Sequence, residues 1–212
     1  MDITWYGHSC FRIAERGKAS IVTDPYDASI GYSGLNLKAD VVTVSHNTPG
    51  HAFIEGVREW QFVIERPGEY EIGGVFIIGT PMIDKKAKDP SYNVLYTLDY
   101  GNLNVAHLGD LSHVPGQSDL DALGQVDVVL VPVGGGGALN AAQAAEVVSI
   151  LEPSIVIPMH FHTEHSLIDD LAPVDKFLTE MGVTNPVEDD TLRVTSSGLP
   201  EQTQVILLSY KV

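Results

Sequence analysis

The stretch from Val128 to Met159 constrains the fold of this chain more than any other. Val128–Val133 is a continuous apolar strand of the kind that is covered on both faces. After the glycine run Gly134–Gly137, Asn140 and Gln143 have the spacing of a helix N-cap with a capping box. Ala144, Val147, Val148 and Leu151 then share one helical face, and Pro153 marks the stop. Ile155–Met159 is the next strand. A strand–helix–strand unit favours a right-handed parallel crossover, so the second half of the chain reads as α/β.

The first half is sheet. Short β-rich runs occur at Ile3–Tyr6, Phe11–Ala14, Ser20–Thr23, Val41–Ser45, Phe62–Glu65, Val75–Gly79, Val94–Leu98 and Leu103–His107. Gly17, Gly73-Gly74 and Gly101-Asn102 punctuate them as turns, including hairpins. A further helix is expected from about Val174 to Met181, closed by Gly182, before strands at Leu192–Thr195 and Val205–Tyr210. The segments Asp40-Val41-Val42-Thr43-Val44 and Asp127-Val128-Val129-Leu130-Val131 resemble each other, as two related halves would. Two such sheets with helices outside make a four-layer sandwich. No linker divides the chain, and residues 1–212 are read as a single domain.

Composition narrows the function. The formal charge is -16, from 12 basic and 28 acidic residues, and no Lys/Arg cluster reverses it locally. Such a surface repels phosphate backbones, so nucleic acid is not an expected partner, whereas a small-molecule substrate or ligand is. No apolar run spans a bilayer and no secretory signal opens the chain, so membrane association is not expected and a cytoplasmic location is. Cys10 is the single cysteine, which rules out an internal disulfide framework and a cysteine-cluster metal site. The apolar faces are compatible with a homo-oligomer as well as a monomer.

Three apolar strands run directly into polar residues able to ligate. Val41–Ser45 ends at His46, with His51 five residues on. Leu103–Ala106 ends at His107-Leu108-Gly109-Asp110. Ile155–Pro158 ends at Met159-His160-Phe161-His162. Sites collect at the carboxyl ends of parallel strands, so the three ends are placed to converge. A lone histidine is more often a hydrogen-bonded scaffold residue; three strand ends carrying the same chemistry are a stronger pattern. Imidazole with carboxylate suits zinc, iron or manganese.

Several motifs then occur in a familiar order: Trp5-Tyr6-Gly7-His8-Ser9-Cys10-Phe11, Thr23-Asp24-Pro25, His107-Leu108-Gly109-Asp110-Leu111, Pro132-Val133-Gly134-Gly135 and Ile157-Pro158-Met159-His160. Over nearly its full length the chain resembles the metallo-β-lactamase superfamily, in particular its small stand-alone branch of zinc-dependent hydrolases. The resemblance implies an α/β, four-layer αββα sandwich. The family's signature loop reads Thr/Ser-His-x-His-x-Asp-His, whereas here it reads Ser45-His46-Asn47-Thr48-Pro49-Gly50-His51. Thr48 stands for the second histidine and Gly50 for the aspartate, and Ile83 aligns with a histidine expected after the middle strands.

The resemblance therefore implies a degenerate site. The first metal position keeps only His46; the second keeps His51, Asp110 and His160. One divalent ion at most is expected, zinc or else manganese or iron, held by His51, Asp110 and His160 with His46 as a further contact. Three protein ligands plus water is the usual catalytic zinc arrangement. A metal-dependent hydrolase is the leading reading; the alternative is a catalytically inactive relative that binds a ligand or partner protein. His8 and Asp24 are expected either to orient ligands or to make strand-end hydrogen bonds, His107 to pack or support, and Asp84, Asp24 or a neighbouring histidine to substitute for the missing carboxylate. His113, His162 and His165 are expected to be exposed, and Gly134–Gly137 to be a tight turn, since no Lys-Ser/Thr follows to make a phosphate loop.

Overall fold

In the computed structural model, which describes residues 1–84 and 92–211, the β-rich first half begins with β1 (Asp2–Trp5), β2 (Phe11–Ala14), β3 (Ile21–Thr23), β4 (Leu37–Lys38), β5 (Val41–Thr43), β6 (Val57–Arg58) and β7 (Phe62–Ile64). It continues with β8 (Gly68–Ile72), β9 (Val75–Ile83), β10 (Tyr92–Asp99) and β11 (Asn104–His107). The second half alternates: α1 (Gln117–Asp121), β12 (Val128–Pro132), α2 (Ala141–Leu151), β13 (Ile155–Met159), α3 (Asp175–Glu180), β14 (Val187–Asp189), β15 (Leu192–Arg193) and β16 (Gln204–Leu208). One sheet has the order β15-β1-β2-β3-β5-β7, the other β14-β16-β13-β12-β11-β10-β9-β8, and β4 pairs with β6 apart from both.

Alternation along the strands of the smaller sheet sends residues to two different cores. Ile21, Val41 and Ile64 join the large core shared with the other sheet, while Val22, Val42 and Val44 join a second cluster with Tyr26, Ile30, Tyr32 and Val57. That second cluster is covered by 3₁₀ turns at Ala28–Ile30 and Ile54–Gly56. Over the larger sheet, α2 and α3 contribute Ala144, Val147, Val148, Phe177 and Leu178 to the core. One outer layer of the αββα sandwich is thus helical and the other is made of short turns.

The capping box of α2 forms as the spacing requires: Asn140 Oδ1 accepts from Gln143 N at 3.1 Å, and Gln143 Oε1 accepts from Asn140 N at 3.1 Å. β12 and β13 are parallel neighbours. The two resembling Asp-Val-Val segments occupy matching places. β5 and β12 are each the middle strand of a parallel trio, β3-β5-β7 and β11-β12-β13. Asp40 accepts from Ser20 N at 2.8 Å, and Asp127 accepts from Asn104 N at 2.8 Å. In both halves one aspartate locks the start of the middle strand to its neighbour.

Some boundaries differ from expectation for visible reasons. The run Val41–Ser45 leaves the ladder after Thr43 because the Asp24 carboxylate captures Ser45 N at 2.7 Å. β8 carries Glu69 and Glu71 on its exposed face, while Tyr70 and Ile72 pack on the core, so its alternation lacks apolar weight. β14 is wholly exposed and leaves no hydrophobic trace. No helix among the described residues is long and apolar enough to cross a membrane.

Candidate metal centre

Five segments, two more than the strand-end pattern indicated, meet at the carboxyl ends of the parallel trios. The loop after β5 brings His46 and His51, the loop after β11 brings Asp110, and His160 follows β13 directly. Asp24, just past β3, and His8, in the β1–β2 turn, complete the group.

His51 is its centre. Its Nδ1 lies 2.8 Å from Asp24 Oδ2, which fixes the ring and leaves Nε2 to face the cluster. His51 Nε2 is 3.2 Å from His8 Nε2. Asp110 bridges two other histidines, with Oδ1 3.2 Å from His160 Nε2 and Oδ2 3.4 Å from His46 Nε2. Among the described residues, two triads have one ligand atom from each member within 4.8 Å of the others: His8, His51 and His160, and His46, His51 and Asp110. The expected set of His51, Asp110 and His160 spans both triads, and His51 belongs to each.

The electrostatics separate these groups. Burial lowers the pKa of His8 well below its ordinary value, and the charges of His160, His51 and His46 lower it further. His160 is pushed down by burial to about 4, despite the favourable charge of Asp110. Burial also lowers His46 and His107. Burial would lower His51 as well, but the hydrogen bond and charge of Asp24 outweigh it and raise its pKa. For Asp24, burial works against ionisation. His107 and the hydrogen bonds from His51 and Ser45 outweigh that and hold its carboxyl below the usual range. At neutral pH the cluster therefore has mostly neutral imidazoles, with lone pairs free to ligate, around a buried carboxylate.

The backbone is held in costly conformations here. His8 (φ 49°), Asp24 (φ 40°) and His160 (φ 53°) are three of the five non-glycine residues with positive φ among those described, so strain concentrates at this site. His8 O explains part of the restraint, since it accepts from both Trp5 Nε1 at 3.0 Å and His160 N at 3.1 Å. The first sheet's opening turn is thereby tied to the end of β13. Gly109 has φ 57°, and a Cβ there would fall 2.4 Å from Ser45 Cβ. Asn93, which the sequence reading missed, clamps the same loop: its Oδ1 accepts from Asp110 N at 3.0 Å and its Nδ2 donates to Leu108 O at 3.0 Å. A buried amide within the apolar run of β10 was the available signal. Gly134 packs against His160 O, where a Cβ would stand 2.3 Å away, so the glycine run is a tight turn buttressing the histidine.

A cleft of ≈ 340 Å³ opens onto His46, His51, Asp110 and His160, with Ile30 and Ile168 among its walls. A larger hollow of ≈ 480 Å³ lies beyond His46, walled by Glu65, Arg66 and Tyr92, and meets the cluster only at His46. Both triads of candidate ligands line the smaller cleft. Thr48 Oγ1 sits 3.0 Å from His46 Nε2, Gly50 offers no side chain, and Ile83 is exposed at the end of β9. Asp84, next to Ile83, joins neither triad. His107 is fully buried, with Nε2 2.9 Å from Ser9 O and Nδ1 4.0 Å from Asp24, and supports the carboxylate from behind. His162 and His165 are exposed and His113 half-buried.

Known proteins share this arrangement of chain. A family model described as a beta-lactamase superfamily domain matches residues 2–160. An UPF0173 protein of Pyrococcus abyssi is 31% identical over 183 residues, covering 77% of this chain and 84% of its own. An UPF0173 metal-dependent hydrolase of Thermoplasma volcanium is 27% identical over 194 residues, with the same coverage of both. Among solved structures, a candidate Zn-dependent hydrolase of the metallo-β-lactamase superfamily from Thermotoga maritima superposes with a TM-score of 0.81 at 34% identity, covering 99% of each chain.

Proposed function

Because this chain belongs to the β-lactamase superfamily, we propose that it is a metal-dependent hydrolase working with a single divalent ion, zinc in first place. The observation that carries this reading is the convergence of His46, His51, Asp110 and His160 on one cleft, with donor atoms left over. The Nδ1 atoms of His8 and His160 are buried without a hydrogen-bond partner, and Asp110 Oδ1 has only its 3.2 Å contact with His160 Nε2. Orphaned buried donors and acceptors cost about 1–3 kcal/mol each, and an ion held at the site is one physical reason to keep them. The nitrogen and carboxylate donors fit the group. The names of relatives as metal-dependent hydrolases support the same reading.

His51 supports the reading of a single ion. Both triads need this residue, and with Nδ1 committed to Asp24 it has one ring nitrogen left to give. Thr48, Gly50 and Ile83 supply none of the ligands that a second position would require. We assign His51 and His160 to the ion, set Asp110 beside His160 as its counter-charge, and place His46 at the cleft mouth.

When bound, the ion supplies Lewis acidity and a water of lowered pKa. The chain's own residues do the rest. Asp24 holds His51 in one tautomer, Nδ1–H toward the carboxylate. His46, kept neutral by burial and contacting the Thr48 hydroxyl, is placed to accept a proton from a nucleophilic water. This is a role that Gly50, lacking the family's carboxylate, cannot fill. Substrates small enough for the cleft and not strongly anionic suit the -16 charge.

The test is elemental mass spectrometry on chelator-free protein reloaded with zinc, manganese or iron, joined to a screen of generic ester, phosphodiester and lactam substrates. One ion per chain and turnover abolished by EDTA and restored by metal are expected. No retained ion at micromolar free metal would overturn the proposal and favour a ligand-binding relative without catalysis.

A further inference from the structure

We infer that His8 is a direct metal ligand, taking the place of the carboxylate absent at Gly50, so that the ion sits on the three-histidine set His8, His51 and His160. This rests on the single-ion reading above and specifies its coordination.

A Cβ built on Gly50 would lie 3.0 Å from His8 Nε2 and 3.3 Å from His8 Cδ2. Any side chain at position 50 would therefore crowd the His8 ring, and its absence leaves that ring room to reach His51. The contact made is chemically pointed. His51 Nδ1 faces Asp24, so its Nε2 presents a lone pair, and His8 Nε2 stands 3.2 Å from it. Without a cation this contact requires a proton between two nitrogens of a buried pair. With one, both lone pairs are used. Ligand nitrogens around a tetrahedral zinc, at bonds of about 2.0–2.1 Å, lie about 3.3 Å apart, which matches the spacing found.

The remaining members agree. The His8 and His160 rings lie side by side, with centroids 4.2 Å apart and planes tilted by 39°. Both backbones adopt positive φ, and His160 N donates to His8 O, so the two rings are held as a unit against His51. Asp110, 3.2 Å from His160, adds the negative charge that three neutral imidazoles lack. His46 is left outside the coordination set, in agreement with its role as proton acceptor. A nitrogen-rich set of this kind favours zinc over manganese or magnesium.

The experiment is X-ray absorption of the zinc-loaded protein, counting imidazoles, together with zinc titration of chelator-treated wild type, H8Q, H46Q and H160Q. Wild type and H46Q should each show three imidazoles, and H8Q two. H8Q should bind zinc roughly 1,000-fold more weakly or worse, beyond the 10–100-fold that loss of an outer-shell partner costs. An unchanged imidazole count in H8Q, or loss of one in H46Q, overturns the assignment of His8 while leaving the single-ion hydrolase in place. The second outcome reads clearly even if H8Q fails to fold. Failure of wild type to bind zinc at all overturns both.

Discussion

His160 gives the sharpest quantitative test, because its burial should make the metal-free protein acid-labile. In the folded, EDTA-treated protein its imidazole is pushed down to about 4 by burial, against about 6.5 in an unfolded chain. Between these values the unfolded state holds the proton and the folded state does not, so stability falls as pH falls. Linkage over that pair of values removes about 2 kcal/mol on going from pH 7 to pH 5. The perturbation is His160→Asn, which keeps a polar side chain and cannot titrate. It lowers stability by a constant offset at every pH but removes the His160 part of the slope. His8, whose depressed pKa owes part of its shift to the His160 charge, moves in the same direction. Urea denaturation of both proteins in EDTA at pH 7 and pH 5 should therefore show wild type losing about 2 kcal/mol more than the variant between those two pH values. Parallel losses would refute the reading of His160 as a buried neutral imidazole, since the offset cancels in the comparison.

Other expectations follow from the same geometry. Asp24→Asn should destabilise the fold by about 3–5 kcal/mol by disrupting a buried network of charge-assisted bonds to Ser45 and His51, measured by thermal unfolding, and should weaken zinc about 10–100-fold in a titration. Zinc at 100 times its dissociation constant should stabilise the folded protein by about 2.7 kcal/mol, and an unmoved melting temperature would count against a native site. Gly109→Ala combines a positive φ with a Cβ 2.4 Å from Ser45 Cβ, so it should cost several times the ~1 kcal/mol of an ordinary glycine substitution and reduce soluble yield. Asn93→Ala should cost about 1–3 kcal/mol and loosen the Asp110 loop, seen as faster amide exchange of Gly109 and Asp110.

Much of this molecule is legible from local sequence because its signals are local. The capping box of α2 depends on two residues three apart, and the apolar runs of β12 and β13 carry their own burial, so pattern alone places them. The motifs around His46, His51, Asp110 and His160 likewise sit at strand ends that periodicity locates, and the losses at Thr48 and Gly50 are visible as letters. What pattern leaves undecided is which atoms face one another. His8 lies 43 residues from His51 in the chain, and no spacing rule joins them; it takes the tie from His8 O to His160 N to swing the opening turn of one sheet over the end of the other. Asp24 becomes the anchor of His51 because β3 and β5 end side by side, and Asn93 the clamp of Asp110 because the start of β10 lies against the end of β11. Sequence alone determined the elements and the chemical types of the candidate ligands, since these follow from short-range periodicity and side-chain identity. The tertiary structure alone decided that His51 is shared by two triads and that the space beside Gly50 belongs to His8, because contacts between distant segments are set by how the two sheets pack.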